Sequence, residues 1–91
     1  MKVMATWAVI PGKSPEAVER FLATQTVPAG LKLLGRWHKV GSAGGFALWE
    51  SNDLSALYKE FAFWSDLLIL ESYIVIEDGE AGPVLAELFK K

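Results

Sequence analysis

The chain has 91 residues and a formal net charge of −2, with 52% hydrophobic residues, no cysteine and a single histidine. This length predicts one domain over residues 1–91, and the acidic balance with scattered basic residues predicts no nucleic-acid binding, which normally leaves a basic patch. Without cysteine there is no disulfide or thiolate zinc site, and a histidine-based site would need one histidine from each of two subunits, so we expect no metal and no cofactor.

The N-terminal stretch predicts a central strand in a cytoplasmic protein. Residues 1–7 lack the long apolar core and the small-residue cleavage site of a signal peptide. No apolar run approaches the roughly 18 residues that a membrane helix needs, so we expect no membrane contact. Residues 2–10, KVMATWAVI, are almost free of charge, and a run that is apolar on both faces is typical of a strand covered on both sides.

A turn at residues 11–13 precedes the first predicted helix. Ser14 is the expected N-cap, Pro15 the first helical residue, and Glu16 a carboxylate at the positive end of the helix dipole. Four residues at helical spacing form its apolar stripe: Ala17, Val18, Phe21 and Leu22.

Residues 31–40 and 46–51 predict two strands of a hairpin, joined by a glycine-rich bend. The length of the bend decides the partner of Arg36. A three- or five-residue bend places it opposite Glu50 as a cross-strand ion pair. A two- or four-residue bend places it beside Trp49 as a cation–π contact.

A second helix, a fourth strand and a short terminal helix complete the chain. Asn52 or Asp53 is the expected N-cap of the second helix. Residues 69–77 predict the fourth strand, residues 78–80 a turn, and residues 82–83 the start of the terminal helix. The second helix has one apolar face, made of Leu54, Leu57, Phe61, Trp64 and Leu68.

The order strand, helix, strand, strand, helix, strand predicts a ferredoxin-like α+β domain. Two interlocked βαβ-type units form a four-stranded antiparallel sheet with both helices on one face. Nothing in the chain covers the other face, although the first strand is apolar on both sides. We therefore expect a second copy of the chain to cover it, as a homodimer.

The stretches MATWAVIPGKSPEAVERF and LLGRWHKVGSAGGFALWESND resemble the dimeric α+β barrel superfamily, and most closely a short, functionally uncharacterised family within it. The likeness covers nearly the whole chain, and two places carry it. One is the end of the first strand at residues 11–13, and the other is the end of the third strand at residues 49–51. Antibiotic-biosynthesis monooxygenase-like and muconolactone isomerase-like proteins are more distant members. The resemblance implies a homodimer whose two sheets pack face to face into a barrel.

The resemblance also implies a cleft for a small apolar or aromatic molecule between the sheet and the helices. The monooxygenase-like relatives bind a flat aromatic substrate there without metal or flavin, and Trp49 takes the place of a tryptophan that several of them carry. Ala47 stands where many relatives have a carboxylate. A binding protein is therefore the first expectation, and a cofactor-independent monooxygenase- or isomerase-like enzyme is the alternative.

Alternation along the strands defines the candidate ligand-binding residues. Trp7, Trp37 and Trp49 share one face, under the helices, where Trp64 of the second helix can close the space. Tyr73 joins them if the fourth strand keeps the same parity. A plain aromatic core is the alternative, although four tryptophans in 91 residues are hard to bury without a polar partner for some indole N–H.

The same alternation places Lys32, Arg36, His38 and Glu50 on the opposite, dimer-side face. His38 is then a residue of the barrel rim or the dimer interface, with a role in ligand binding or proton transfer as the alternative. Its only plausible carboxylate partners on strands are Glu50 and Glu71. Glu71 lies among apolar residues and is either half-buried, which would raise its pKa, or exposed.

Overall fold

The computed structural model describes residues 1–90, so Lys91, the last residue of the predicted domain, lies outside it. Among these residues the order of elements confirms the predicted ferredoxin-like α+β fold, with a third helix at the end. The elements are β1 Lys2–Val9, α1 Ser14–Ala23, β2 Lys32–His38, β3 Gly44–Glu50, α2 Leu54–Trp64, β4 Leu68–Val75 and α3 Asp78–Leu88.

The four strands form one antiparallel sheet in the order β2-β3-β1-β4. β1 lies inside the sheet, where Ala5 pairs with Ala47 of β3 on one side and with Ser72 of β4 on the other. This central position explains why the segment is apolar along its whole length.

The sheet has two faces of different character. The first, called the helix face below, carries Val3, Ala5, Ala47 and Trp49, which are buried together with Leu57 of α2. The second, called the open face, carries the residues between these along β1 and β3 and their cross-strand partners. Its apolar members are only partly buried, and they include Met4, Phe46 and Leu48.

A β-bulge at Leu34 separates the two halves of β2. Leu33 pairs with Trp49 and Gly35 pairs with the next residue of β3, Leu48, so that Leu34 is an extra residue without a partner of its own. An extra residue in one strand reverses the alternation of its side chains from that point onward. The parity of residues 35–38 is therefore opposite to the one that simple alternation predicts.

The bulge makes three predicted placements wrong. Arg36 pairs with Ala47 and His38 with Gly45, so both lie on the helix face rather than on the dimer side. Trp37 lies on the open face rather than under the helices. The predicted partners of Arg36 are wrong as well, because its guanidinium packs over the ring of Phe21, with Cζ 5.2 Å from the centroid.

Lys32 and Glu50 keep their predicted place on the open face, directly opposite each other. They lie before the bulge along β2, where simple alternation still holds. The prediction for this end of the hairpin is confirmed, and the error is confined to the part that follows Leu34.

β3 begins at Gly44, inside the predicted bend, because glycine is needed where two backbones approach. A Cβ atom at Gly44 would overlap the carbonyl oxygen of Trp7. One at Gly45 would overlap the carbonyl oxygen of Trp37 and lie 2.6 Å from Cη2 of Trp7. These glycines extend the ladder while leaving room for the Trp7 ring.

The helices α1 and α2 begin close to their predicted positions. The N-cap of α2 is Asp53, whose carboxylate accepts a hydrogen bond from the backbone N–H of Ala56 at 3.0 Å. In α1 the N-cap position belongs to Lys13, without a side-chain hydrogen bond, and Ser14 is the first helical residue. The predicted cap at Ser14 is wrong, and Ser14 is instead one of the residues that line the neighbouring cleft.

α3 begins at Asp78, so the predicted turn at residues 78–80 is its first turn. Asp78 and Glu80 place two carboxylates at the positive end of the helix dipole, which favours a start here in spite of Gly79. The helix contains Pro83 and has no buried residue. Within residues 1–90, no helix is long and apolar enough to cross a membrane.

Candidate functional site

A cleft of about 280 Å³ lies between the helix face of the sheet and the helices α1 and α2. Its floor is made of small side chains, Ala5 and Ala47 of the sheet, with Ala17 of α1 facing them. Larger rings form the walls around these alanines. The aromatic lining residues are Trp7, Phe21, His38, Trp49, Phe61 and Trp64.

The tryptophans that line the cleft are held by contacts with neighbouring rings and glycines. Trp49 is only 5% exposed and packs edge-on against Phe61, with ring centroids 6.3 Å apart. Trp7 lies over Gly45 and packs edge-on against His38 at 5.3 Å. Such edge-to-face contacts fix the planes of the rings, so the walls are rigid surfaces.

Trp64 closes the α2 side of the cleft. Its indole Nε1–H donates a hydrogen bond to Oε1 of Glu60 at 3.2 Å, one helical turn away. This bond satisfies the polar atom of the ring and engages the carboxylate of Glu60, the acidic residue of the lining.

Basic side chains line the β2 side of the cleft. Arg36 and His38 form this wall, whereas the ammonium of the neighbouring Lys39 lies over the Phe46 ring on the open face, 6.0 Å from its centroid. The His38 ring packs edge-on against Phe21 at 5.5 Å, so Phe21 lies against both His38 and the Arg36 guanidinium. In the described part of the chain, neither Arg36 nor His38 forms a salt bridge with a carboxylate.

An ion pair holds α1 over the cleft. Arg20 donates two hydrogen bonds to the carboxylate of Asp66, at 2.8 and 2.9 Å, and a third to the backbone oxygen of Phe63 at 2.7 Å. The hydrogen bonds from the guanidinium lower the pKa of Asp66, and the same contact raises the pKa of Arg20. The pair connects α1 to the segment between α2 and β4.

Of the six predicted ligand-binding residues, Trp7, His38, Trp49 and Trp64 come together at the cleft. The sequence predicts His38 on the opposite face of the sheet, and the bulge at Leu34 brings it to the cleft instead. The other two, Trp37 and Tyr73, lie on the opposite side of the sheet.

Trp37 covers Gly35 on the open face. A Cβ atom at Gly35 would lie 2.5 Å from Cη2 of Trp37, so the indole lies directly over this glycine and not at the cleft. The side chain is 54% exposed.

Tyr73 pairs with Met4 and therefore lies on the open face. β4 is apolar on both faces, so its composition does not indicate its parity. The hydroxyl of Tyr73 donates a 2.5 Å hydrogen bond to Oε2 of Glu71, and this bond raises the pKa of Tyr73. The sequence leaves Glu71 either half-buried or exposed, and in the structure it is exposed.

The sequence interpretation missed Arg36, Phe21 and Phe61 as cleft residues. The two phenylalanines belong to the predicted apolar faces of α1 and α2, so a signal for them was present in the helical spacing. Arg36 had no such signal, because the bulge leaves no mark in the alternation of a short strand. Residues 1–90 contain no group of three or more acidic or histidine side chains that could hold a metal ion.

A protein-family model described as "Domain of unknown function (DUF3303)" matches residues 1–89. Among solved structures, the chain is similar to an uncharacterised NIPSNAP domain protein from Burkholderia xenovorans, with 19% identity and a TM-score of 0.54. The match covers 85% of this chain and 94% of that chain. It supports the ferredoxin-like fold and nothing about activity. No curated protein matches the chain.

Proposed function

The chain belongs to the DUF3303 family, and we propose that it binds a small, flat apolar molecule in the cleft between the helix face and the helices α1 and α2. The observation that carries this proposal is a space of about 280 Å³ with an alanine floor and aromatic walls. Small-molecule pockets range upward from about 300 Å³ and are lined mainly by apolar and aromatic side chains. The cleft suits a ligand of one or two rings.

A packed aromatic core is the competing interpretation, and the size of the cleft argues against it. Protein interiors are close-packed, and voids larger than a water molecule are few. A side chain of the same protein that filled this space would bury more apolar surface and add stability. Ala5, Ala17 and Ala47 instead leave it open.

Binding is favoured over catalysis by the surroundings of His38. A general base needs a partner that orients its ring, commonly a carboxylate. Within residues 1–90, His38 has ring contacts with Trp7 and Phe21 and no hydrogen bond to a carboxylate. We therefore infer a binding protein, and the cofactor-independent enzyme remains the outcome that turnover of a ligand would support.

The open face supports a homodimer as the functional unit. Large apolar side chains lie exposed on it across neighbouring strands, and an apolar area of this kind on a small domain is typical of an interface. A face-to-face pair of sheets is the arrangement that the superfamily resemblance implies. The exposed members are Trp37, Phe46, Ile69 and Tyr73.

Titration with 2-naphthalenemethanol, a neutral two-ring alcohol, tests the proposed function by isothermal calorimetry. We expect saturable binding with one site per chain, and chromatography of the recovered ligand distinguishes binding from turnover. Absence of saturable heat would contradict the proposal.

The predicted cytoplasmic location is a separate proposal, which cell fractionation would test.

A further inference from the structure

We infer that the ligand of the cleft carries a carboxylate, which Arg36 and His38 hold at the β2 wall. This inference rests on the proposed function, since it adds an acidic group to the flat apolar molecule proposed above. The basis is the position of two basic side chains in a cleft that is lined mainly by apolar side chains.

The bulge at Leu34 is the first part of the argument. It turns Arg36 and His38 toward α1, on the same face as Ala47 and Gly45. Both side chains line the cleft and remain exposed, so a ligand that enters from solvent meets them without displacing a protein partner.

The charges of the lining are the second part. The lining contains the carboxylate of Glu60 and the guanidinium of Arg36, whereas the ammonium of Lys39 lies over the Phe46 ring of the open face. Glu60 accepts the hydrogen bond of the Trp64 indole, and within residues 1–90 Arg36 forms no salt bridge. Arg36 is therefore the charge of the cleft that is available to an anionic ligand.

The state of the Arg36 guanidinium is the third part. Its Cζ lies 5.2 Å from the centroid of the Phe21 ring, a cation–π contact that fixes the guanidinium while leaving its N–H donors without a carboxylate among residues 1–90. A planar guanidinium donates two parallel hydrogen bonds to a carboxylate. The ring of His38 contacts the other side of the same wall and supplies a further donor.

Three naphthalene derivatives test the inference, because they share one ring system and differ in charge. These are 2-naphthoate, 2-naphthalenemethanol and 2-naphthylmethylammonium. We expect 2-naphthoate to bind about ten-fold more tightly than the alcohol, equivalent to about 1.4 kcal/mol, and the ammonium compound to bind most weakly. Isothermal calorimetry at low salt measures all three.

The variant Arg36→Gln should bring the affinity for 2-naphthoate close to the affinity for the alcohol measured on the same variant, so that the ratio of the two affinities falls to about one. Lys32→Gln is the matched control, since Lys32 is a cation on the same strand but on the open face. It should leave both affinities unchanged. Arg36→Lys, which keeps the charge without the planar fork, should retain part of the preference.

The possible results separate the inference from the proposed function. If the alcohol binds but 2-naphthoate binds no more tightly, the inference is wrong and the proposed function stands. A preference that survives Arg36→Gln, or that falls equally with Lys32→Gln, also contradicts it. If none of the three compounds binds, the proposed function fails and this inference fails with it.

Discussion

Two tryptophans of the hairpin show how little residue type alone says about a site. Trp49 is 5% exposed and forms a wall of the cleft, whereas Trp37 is 54% exposed on the other side of the sheet. Each tryptophan lies in a strand, Trp37 after a basic residue and Trp49 after an apolar one, and these neighbours do not indicate which of the two lines a site. What distinguishes them is the parity of the strand position, which the cross-strand pairing fixes.

Replacing Trp49 by phenylalanine should weaken ligand binding without unfolding the domain. Phenylalanine keeps an edge-on contact with Phe61 but leaves part of the wall empty, so we expect about ten-fold weaker binding of 2-naphthalenemethanol. Trp49→Ala is less informative, because losing a buried tryptophan costs about 3–5 kcal/mol, which approaches the whole stability of a small domain.

Trp37→Phe is the control for this experiment, since it makes the same exchange on the open face. It should leave the affinity for the alcohol unchanged. Equal loss of affinity in both variants would contradict the assignment of Trp49 to the ligand site.

The ion pair between Arg20 and Asp66 predicts an acid-sensitive contribution to stability. The pKa of Asp66 is lowered in the folded state by the Arg20 hydrogen bonds, from an ordinary value of 3.8. The contribution is therefore complete above that value and is lost as the pH falls below it through the lowered pKa. Because the side chain of Asp66 is 61% exposed, we expect a small effect.

Thermal unfolding of Asp66→Asn measures that effect. The variant should unfold at a lower temperature than the original chain at neutral pH, and the difference should shrink in acid below the carboxyl pKa. Glu19→Gln, which neutralises an exposed carboxylate of α1 beside Arg20, should show neither behaviour. A difference that persists unchanged into acid would show that the pair does not act through its charge.

At the scale of elements, the parts of the fold that could be predicted are those with local signals. The bend before α1, the Asp53 cap of α2 and the order of strands follow from turn residues, capping side chains and hydrophobic periodicity. These signals are set by near neighbours in the chain. The structure confirms them within one or two residues, apart from the cap at Ser14.

The parts that could not be predicted depend on partners far along the chain. The bulge at Leu34 follows from how β2 matches β3, and the parity of β4 from how it matches β1. In β2 the alternation of Lys32, Arg36 and His38 indicates one polar face, but the bulge divides these residues between both faces. In β4 the two polar residues, Glu71 and Ser72, lie on opposite faces. The start of α3 at Asp78 was missed because Gly79 between two acidic residues has the composition of a turn.

Gly45 is the position in the ladder where an added methyl group has the clearest consequence. In Gly45→Ala the new Cβ would collide with the Trp37 carbonyl oxygen and the Trp7 ring, and overpacking of this kind typically costs about 1–3 kcal/mol or more. We expect a matching decrease in the free energy of unfolding in urea.

Gly79→Ala makes the same chemical change in α3, where a Cβ atom meets nothing within 4 Å. Alanine is the better helix former, so this variant should gain up to about 1 kcal/mol. If Gly45→Ala and Gly79→Ala lowered the free energy of unfolding by similar amounts, the collision at Gly45 would not be the cause of the lost stability.

The molecule as a whole is more extended than a compact chain of its size. Its radius of gyration is 15.9 Å, whereas about 12 Å is expected for a compact domain of this length. α3 has no buried residue, and its apolar side chains Val84, Leu85 and Leu88 are exposed, as is much of the open face. This surface is what the proposed homodimer would bury.

An aspartate at Phe46 should disrupt that homodimer. Phe46 is 42% exposed on the open face, and a carboxylate there would lose its hydration against the partner sheet, a cost that the nearby Lys39 offsets only in part. Sedimentation equilibrium at low micromolar concentration should give twice the 10.0 kDa chain mass for the original protein and a single chain mass for Phe46→Asp.

Tyr58→Asp, which introduces the same group on the exposed side of α2, is the control and should remain dimeric. A single chain mass for the unmodified protein would show that the open face is not covered by a second copy.

The bulge in β2 also has a consequence for the cleft. If the extra residue lay in the glycine-rich loop at residues 39–43 instead of at Leu34, β2 would be a regular strand, with Trp37 on the helix face and Arg36 and His38 on the open face. β2 is an edge strand, so only its ladder to β3 would have to change. Relocating a single residue within the hairpin would therefore exchange the basic wall of the cleft for an apolar one, without substituting any other residue of β2.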